Sequence, residues 1–289
     1  MKFVTFAHQG SDRPGVWLGD GKMVDLSPVA GTLLGIIEGG EAALKAARAL
    51  AADAAAAIPA AGVELRAPIP QPRKNVFCVG RNYVEHVAEG ARAMGVAHKL
   101  PEVPQFFTKA PTTVNAPGAP VRLDNSLTKL LDYEVELAVV IGKAGRDIPK
   151  ERAYEHVFGY TIANDVTARD LQRRHEQWFK GKSLDTTLPL GPWIVDAEEI
   201  GDPTTLELSL TVNGEERQRA TCSMMIFDIP AIIASLSAGL TLEAGDIIAT
   251  GTPSGVGFAM DPPQGLKDGD IMVAAIDRIG ELKSPIRAV

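Results

Sequence analysis

The chain has 289 residues, 45% of them hydrophobic and 22% charged, and a formal net charge of −7 at pH 7. This composition is ordinary for a soluble globular protein, and the acidic balance argues against nucleic acid as a main partner, because phosphate backbones attract basic surfaces. No apolar run reaches the ~18–20 residues that a membrane helix needs, and the N-terminus has no stretch typical of a signal peptide. We therefore expect a cytoplasmic protein that binds neither nucleic acid nor membrane.

The first 71 residues differ from the rest of the chain. Short strand-like segments around a Gly-Asp-Gly turn are followed by an Ala-rich helical stretch from about Gly40 to Ala57. A Pro-rich, unpatterned segment then leads to Pro72. We predict a small N-terminal domain over residues 1–71 and a larger domain over residues 72–289.

From Asn75 onward, segments rich in β-branched and aromatic residues predict strands. The clearest is LELSLTVNGEERQRA, in which apolar and polar residues alternate up to Asn213-Gly214, a two-residue hairpin turn. Many strands without a regular strand–helix alternation predict an α+β fold dominated by β-sheet. Helices are expected in four places: about Tyr83–Met94, Lys150–Glu155, Ala168–Trp178 and Ile229–Leu236.

Several common functional motifs do not occur in the sequence. The glycine spacings fit neither a phosphate loop nor a dinucleotide fingerprint, and there is no G-x-S-x-G elbow and no H-E-x-x-H. These observations argue against nucleotide binding, serine hydrolase chemistry and zinc protease chemistry, and we expect no organic cofactor.

The segment LDYEVELAVVIGK, Leu131–Lys143, predicts a buried strand that carries two carboxylates. Glu134 and Glu136 are two residues apart, so on a strand they point to the same face. Asp165 follows the apolar run of a later strand, and three carboxylates are the ligands that Mg²⁺, Mn²⁺ and Ca²⁺ prefer. The spacing also fits an edge strand whose glutamates face water, and the apolar residues on the glutamate face favour the metal site only slightly.

The segment GRNYVEHVAEGARAMG predicts a helix with Asn82 as its N-cap. His86 and Glu89 are three residues apart and therefore share one helical face. A histidine oriented by a carboxylate is a standard general base. Taken alone, however, such a pair is more typical of a solvated helix face.

Two further segments offer groups that could bind a substrate. Lys182 in FKGKSLDTT could stabilise an oxyanion or an enolate, although a solvated lysine is the more typical interpretation. Thr250 and Thr252 enter the Gly-rich turn of IIATGTPSGVG, where hydroxyls and backbone amides can hold a carboxylate.

Together these segments form an ordered series: GRNYVEH, DYEVELAVVIG, GYTIANDVTARD, GKSLDTTLPLGPWIV, VNGEERQ and DIIATGTPSGVG. The series resembles the fumarylacetoacetate hydrolase superfamily, especially its bacterial acylpyruvate hydrolase-like and 2-hydroxyhepta-2,4-diene-1,7-dioate isomerase-like members. The resemblance covers about Lys74–Ile286 and implies a mixed β-sandwich roll, usually homodimeric. The first 71 residues fit the small N-terminal domain that many bacterial members carry.

The resemblance also implies roles for individual residues. The family holds a divalent cation, commonly Mg²⁺ or Mn²⁺, on three carboxylates, which match Glu134, Glu136 and Asp165. Its catalytic His, Glu and Lys match His86, Glu89 and Lys182. The positions that match its substrate-binding residues are Arg81, Tyr83, Lys109 and Thr252.

The implied activity is metal-dependent hydrolysis of a carbon–carbon bond in a 2,4-dioxo acid, such as an acylpyruvate or fumarylpyruvate. It would proceed through a metal-bound enolate, with water activated by the His–Glu pair. The superfamily is catalytically mixed, so an oxaloacetate decarboxylase and a carboxymethyl-hydroxymuconate isomerase or decarboxylase are the alternatives. A non-catalytic metal-binding relative is disfavoured because all six catalytic and metal positions are matched.

The segment Gln172–Thr186 is a candidate for substrate specificity because it contains Arg173 and Arg174 shortly before Lys182. These arginines could hold the second carboxylate of a diacid. A surface helix face or a dimer interface explains them as well, and is the more typical role.

Overall fold

The structure, a computed structural model, describes residues 1–289 and is rich in β-strands. Seven α-helices, α1 to α7, are Leu33–Glu38, Gly40–Ala51, Val84–Met94, Arg169–Arg174, Phe179–Lys182, Ala197–Ile200 and Ile229–Ser237. Short 3₁₀ helices are Ala54–Ala56, Pro111–Thr113, Lys150–His156, Pro203–Thr205, Cys222–Met224 and Gly257–Ala259. The strands, β1 to β19, are Lys2–His8, Ser11–Gly19, Lys22–Asp25, Ala57–Pro59, Leu65–Arg66, Val76–Gly80, Gln105–Lys109, Val114–Asn115, Val121–Leu123, Leu131–Asp132, Val135–Ile141, Val157–Asn164, Thr167–Ala168, Leu188–Asp196, Glu207–Val212, Glu215–Thr221, Ile247–Ala249, Ile271–Ile276 and Gly280–Ala288.

Most strands belong to one large sheet of twelve strands. Its main path runs in the order β4-β3-β2-β1-β14-β12-β11-β17-β6-β7, with β5 and β8 joined at β1 and β14. A five-stranded sheet has the order β16-β15-β18-β19-β9. Strand β11, which carries the glutamates, is therefore central, with antiparallel neighbours β12 and β17.

Strand β11 is buried on both of its faces. Val135, Leu137 and Val139 belong to a cluster that includes residues of the five-stranded sheet. Ala138 and Val140, on the other face, belong to a second cluster with residues of the N-terminal segment. Because Glu136 shares the face of Ala138 by the two-residue period, it points away from the five-stranded sheet. The edge-strand alternative, in which the glutamates face water, is wrong.

The N-terminal segment continues the large sheet. Strand β1 pairs with β14 through Lys2↔Val195 and Phe3↔Ile194, and the Phe3 and Phe158 rings lie 5.1 Å apart. The second cluster contains residues from both sides of Pro72. The division at Pro72 thus remains a prediction about independent folding, since strand pairing and packing join the two parts.

The helices predicted near Tyr83–Met94 and Ile229–Leu236 are confirmed. The Asn213-Gly214 turn is confirmed, with positive φ at both residues (53° and 82°), as a two-residue hairpin requires. The predicted helix Ala168–Trp178 is too long: α4 ends at Arg174 and a separate short helix, α5, begins at Phe179. The Gly40–Ala57 helix ends at Ala51, and Lys150–His156 is a 3₁₀ helix. None of the helices is long and apolar enough to cross a membrane.

Candidate functional site

The three predicted carboxylates lie together. Glu134 immediately precedes β11, Glu136 lies within it, and Asp165 follows β12, which pairs with β11 through Val135↔Asn164. The Asp165 N–H donates to the Glu134 carbonyl at 2.8 Å. All three side chains are buried, and one oxygen of each lies within 4.8 Å of the others. Antiparallel pairing of two neighbouring strands thus brings the third carboxylate to the first two.

Two cations compensate the charge of Glu134. Lys182 Nζ donates to Glu134 Oε2 and to Asp165 Oδ2, each at 2.6 Å. Arg169 Nη2 is 2.7 Å from Glu134 Oε1. Burial opposes ionisation of Glu134, but Lys182 and Arg169 outweigh it and hold the pKa of this carboxyl well below its ordinary value.

Glu136 has no such cation beside it. Its Oε2 accepts a hydrogen bond from the Gly251 N–H at 2.8 Å, and it forms no ion pair. Burial, followed by the negative charges of Asp165 and Glu134, raises its pKa well above the ordinary value. A divalent cation bound here would favour the ionised form of all three carboxylates.

The buried charges as a set have an excess of carboxylates. Lys109 Nζ is fully buried, lies 2.8 Å from Asp165 Oδ1 and donates to the Val166 carbonyl at 3.0 Å; burial lowers its pKa. The set has four buried carboxylates, those of Asp132, Glu134, Glu136 and Asp165, and three buried cations, those of Lys109, Arg169 and Lys182. This excess of anionic oxygen suits a hard divalent cation, so the residues fit the metal that the resemblance implies.

The predicted histidine–glutamate pair forms on helix α3. His86 Nδ1 lies 2.8 Å from Glu89 Oε1, and Glu89 Oε2 accepts a hydrogen bond from the Gly255 N–H at 2.8 Å. Glu89 is buried, which excludes the solvated helix face for this pair. With Nδ1 engaged by Glu89, the other ring nitrogen of His86, Nε2, is left for proton transfer.

The prediction of Asn82 as a helix N-cap is wrong. Tyr83 occupies the N-cap position without a side-chain cap hydrogen bond. The Asn82 side chain instead donates to the Phe227 and Thr250 carbonyls at 3.0 and 2.8 Å. Since both contacts are distant in sequence, the residue ties the start of α3 to the neighbouring segments.

A cavity of about 330 Å³ connects these groups. Trp178 and Phe258 contribute to its wall, and the Trp178 ring fills space that a side chain at Gly80 would occupy. The candidate residues that line it are Arg81, His86, Glu134, Glu136, Lys182 and Thr252.

Four candidates lie behind the cavity wall. Glu89 contacts the cavity-lining His86, and Asp165 accepts a hydrogen bond from the cavity-lining Lys182. Lys109 contacts Asp165 from behind, and Tyr83 is buried, with its pKa raised by that burial. Direct substrate contact therefore has geometric support for Arg81 and Thr252, but Tyr83 and Lys109 do not reach the cavity.

Sequence reasoning missed a supporting pair, Asp132 and Arg169. Arg169 Nε donates to Asp132 Oδ2 at 2.9 Å, and the N–H groups of Gly257 and Phe258 donate to the Asp132 carboxylate at 2.8 and 3.1 Å. The signal was available, because Asp132 precedes Glu134 by the same two-residue period. Its arginine partner lies 37 residues away, and no local pattern indicates such a pair.

The sequence profile described as fumarylacetoacetate (FAA) hydrolase C-terminal matches residues 75–287. The chain belongs to this family. A fumarylacetoacetate hydrolase from Exiguobacterium antarcticum has 42% identity and a TM-score of 0.86, with all of both chains covered. This similarity confirms the predicted fold class, a β-rich α+β fold of the fumarylacetoacetate hydrolase type.

Relatives in the family carry different activities in their names. An oxaloacetate tautomerase from Bacillus subtilis is 50% identical over 273 residues, which is 92% of this chain and 89% of the relative. A maleylpyruvate hydrolase from Sphingobium sp. SYK-6, solved with manganese(II) and pyruvate, has 32% identity and a TM-score of 0.79, with 100% of this chain and 99% of that chain covered. Members of the family are thus named for different reactions, and one of them has been solved with a divalent metal ion.

Proposed function

We propose that this protein is a divalent-metal-dependent oxaloacetate tautomerase, which interconverts the enol and keto forms of the substrate. The observation that carries the proposal is one cavity lined by His86, by Lys182 and by two of three clustered buried carboxylates. The 50% identity to an oxaloacetate tautomerase supports this substrate over the acylpyruvates that the motifs first suggested. The relatives therefore favour the alternative, chemistry on oxaloacetate, over hydrolysis.

The metal would be held by Glu134, Glu136 and Asp165. When bound, a divalent cation supplies Lewis-acid polarisation of 2-oxo acid oxygens. Three carboxylates suit a hard cation such as Mg²⁺ or Mn²⁺, because hard cations prefer oxygen ligands.

The residues of this chain would take one proton from the substrate and return one proton to it. Enol-to-keto conversion removes the proton from the oxygen on C2 and adds a proton to C3, so the proton count of the substrate is unchanged. His86 Nε2 would exchange the proton, and Glu89 would orient the ring and stabilise its protonated form. The Lys182 ammonium would offset negative charge that develops in the cavity.

The test follows the decay of the oxaloacetate enol by its ultraviolet absorbance. We expect the protein with Mg²⁺ or Mn²⁺ to shorten the lifetime of the enol relative to buffer with the same metal, and excess chelator to remove this effect. Pyruvate release, measured in parallel, should stay at the background rate; fast release would instead identify a decarboxylase. An enol lifetime that is unchanged by the metal-loaded protein would exclude the tautomerase.

Hydrolysis of a 2,4-dioxo acid is the second candidate. The observation that favours it is the His86–Glu89 contact, because such a pair can also activate water. Acetylpyruvate incubated with the Mn²⁺-loaded protein would then yield acetate and pyruvate. Turnover of acetylpyruvate without any effect on the oxaloacetate enol would favour this candidate.

A further inference from the structure

The buried cations of the cavity are already engaged by protein carboxylates. Arg169 contacts both Asp132 and Glu134, and Lys182 bridges Glu134 and Asp165. The positive charges of both residues are already compensated by these buried carboxylates, so a further carboxylate of the substrate would meet no net positive charge beside them. Recognition of a second carboxylate on the substrate therefore needs another cation.

Arg173 lines the same cavity and has no carboxylate within ion-pair distance. It follows Arg169 by four residues on α4, so the two side chains share one helical face. Both guanidinium groups lie over the Phe258 ring, with Cζ 4.4 Å from the centroid for Arg169 and 5.4 Å for Arg173. Glu176 also lines the cavity but forms no ion pair with Arg173. Arg173 thus stands next to the Arg169–Glu134 contact with its donors free.

The chemistry of this position suits a carboxylate. A guanidinium group resting on an aromatic ring keeps the N–H groups in its plane available, and their fork matches the two oxygens of a carboxylate. Arg173 is exposed and lines the cavity, as do Met94 and Val96, so these residues belong to the solvent-facing mouth of the cavity. A substrate held at the carboxylate cluster would present its far end toward this mouth.

We propose that Arg173 binds the distal carboxylate of a dicarboxylic 2-oxo acid and so selects dicarboxylic over monocarboxylic substrates. This inference rests on the proposed function and adds the residue that determines its substrate class. Arg81 is the other cavity-lining arginine without a carboxylate partner. Its guanidinium lies 6.0 Å from the centroid of the Trp178 ring, whereas those of Arg169 and Arg173 lie over the Phe258 ring.

The test compares two unreactive hydroxy acids that differ only at the distal group. L-malate carries a carboxylate where L-2-hydroxybutanoate carries a methyl group, and binding of each to the Mg²⁺-loaded protein is measured by titration calorimetry. We expect the unmodified protein to prefer L-malate and Arg173→Met to weaken L-malate binding roughly 10-fold or more, the effect of losing a charge-assisted hydrogen-bonded pair. Binding of L-2-hydroxybutanoate should be unchanged.

Arg174→Met is the matched control, because Arg174 is the next residue, is exposed and does not line the cavity. It should bind both acids as the unmodified protein does. The inference is overturned if Arg173→Met weakens both acids equally, if Arg174→Met has the same effect, or if the unmodified protein does not distinguish the acids. If Arg173→Met selectively loses L-malate binding while the unmodified protein shows no tautomerase activity, the inference about Arg173 stands and the proposed reaction is rejected.

Discussion

Glu136 is the carboxyl group of the site with the least compensation from neighbouring cations. It has a backbone N–H as its hydrogen-bond donor and two carboxylates as neighbours. Glu136→Gln keeps an oxygen for the Gly251 N–H but removes one negative charge, so we expect Mn²⁺ affinity to fall more than about 100-fold. Without metal, folding must bury the Glu136 carboxyl beside two other carboxylates, a cost that glutamine avoids, so the metal-free variant should unfold at a higher temperature.

Calorimetric titration with Mn²⁺ and thermal unfolding followed by circular dichroism measure the two effects. Glu41→Gln, at an exposed position of α2, is the matched control and should change neither. Unchanged Mn²⁺ affinity in the Glu136 variant would contradict the assignment of the metal site.

We expect His86 to act in proton transfer rather than in metal binding. His86→Ala should reduce kcat roughly 10²–10⁴-fold, the usual contribution of a positioned general acid or base, and leave Mn²⁺ affinity unchanged. His175→Ala serves as the control, since this histidine is exposed and does not line the cavity. A parallel loss of Mn²⁺ binding would mean that His86 supports the metal site instead.

At the scale of the elements, the turn after β17 holds helix α3 in place. The Gly255 N–H donates a hydrogen bond to the Glu89 carboxylate. Gly255 has a φ of +106°, and a Cβ atom on Gly255 would lie 1.9 Å from the Arg217 carbonyl oxygen. Gly255→Ala must therefore move the backbone, and we expect the free energy of unfolding to fall by about 1–3 kcal/mol and kcat to fall with it.

Urea denaturation and the enol assay measure these two quantities. Ser254→Ala is the neighbouring control, because the Ser254 hydroxyl makes only an exposed contact with Glu85 at 3.2 Å. If Gly255→Ala has the same free energy of unfolding and the same kcat as the unmodified protein, the turn does not position the His86–Glu89 pair.

At the scale of the whole molecule, residues 1–71 and residues 72–289 share one sheet and one hydrophobic cluster. Phe3 is fully buried and contacts Phe158 across the predicted boundary. Phe3→Ala should lower the free energy of unfolding by about 3–5 kcal/mol, the range for a buried phenylalanine, and shift a single transition.

Urea denaturation monitored by both fluorescence and circular dichroism checks this prediction. Leu18→Ala is the control, because Leu18 is 44% exposed and should matter little. Two separate transitions, of which only one shifts, would show that residues 1–71 fold as an independent domain. The homodimer expected from the family resemblance remains a prediction, which sedimentation velocity would check.

The sequence alone determined the features that depend on short separations along the chain. The two-residue period places Glu134 and Glu136 on one strand face, three-residue spacing pairs His86 with Glu89, and Asn213-Gly214 makes a hairpin turn. Each of these follows from the geometry of a single element, and the motifs of the family add which chemistry they serve.

Only the tertiary structure decided whether those carboxylates are buried and what compensates them. Strand pairing places β11 in the middle of the sheet, and Lys109, Arg169 and Lys182 reach the cluster from other elements. Helix α4 ends at Arg174, and of its last two residues Arg173 lines the cavity whereas Arg174 does not. Contacts of this kind join residues far apart in sequence, so no local pattern encodes them, and their energies depend on burial that only the folded chain creates.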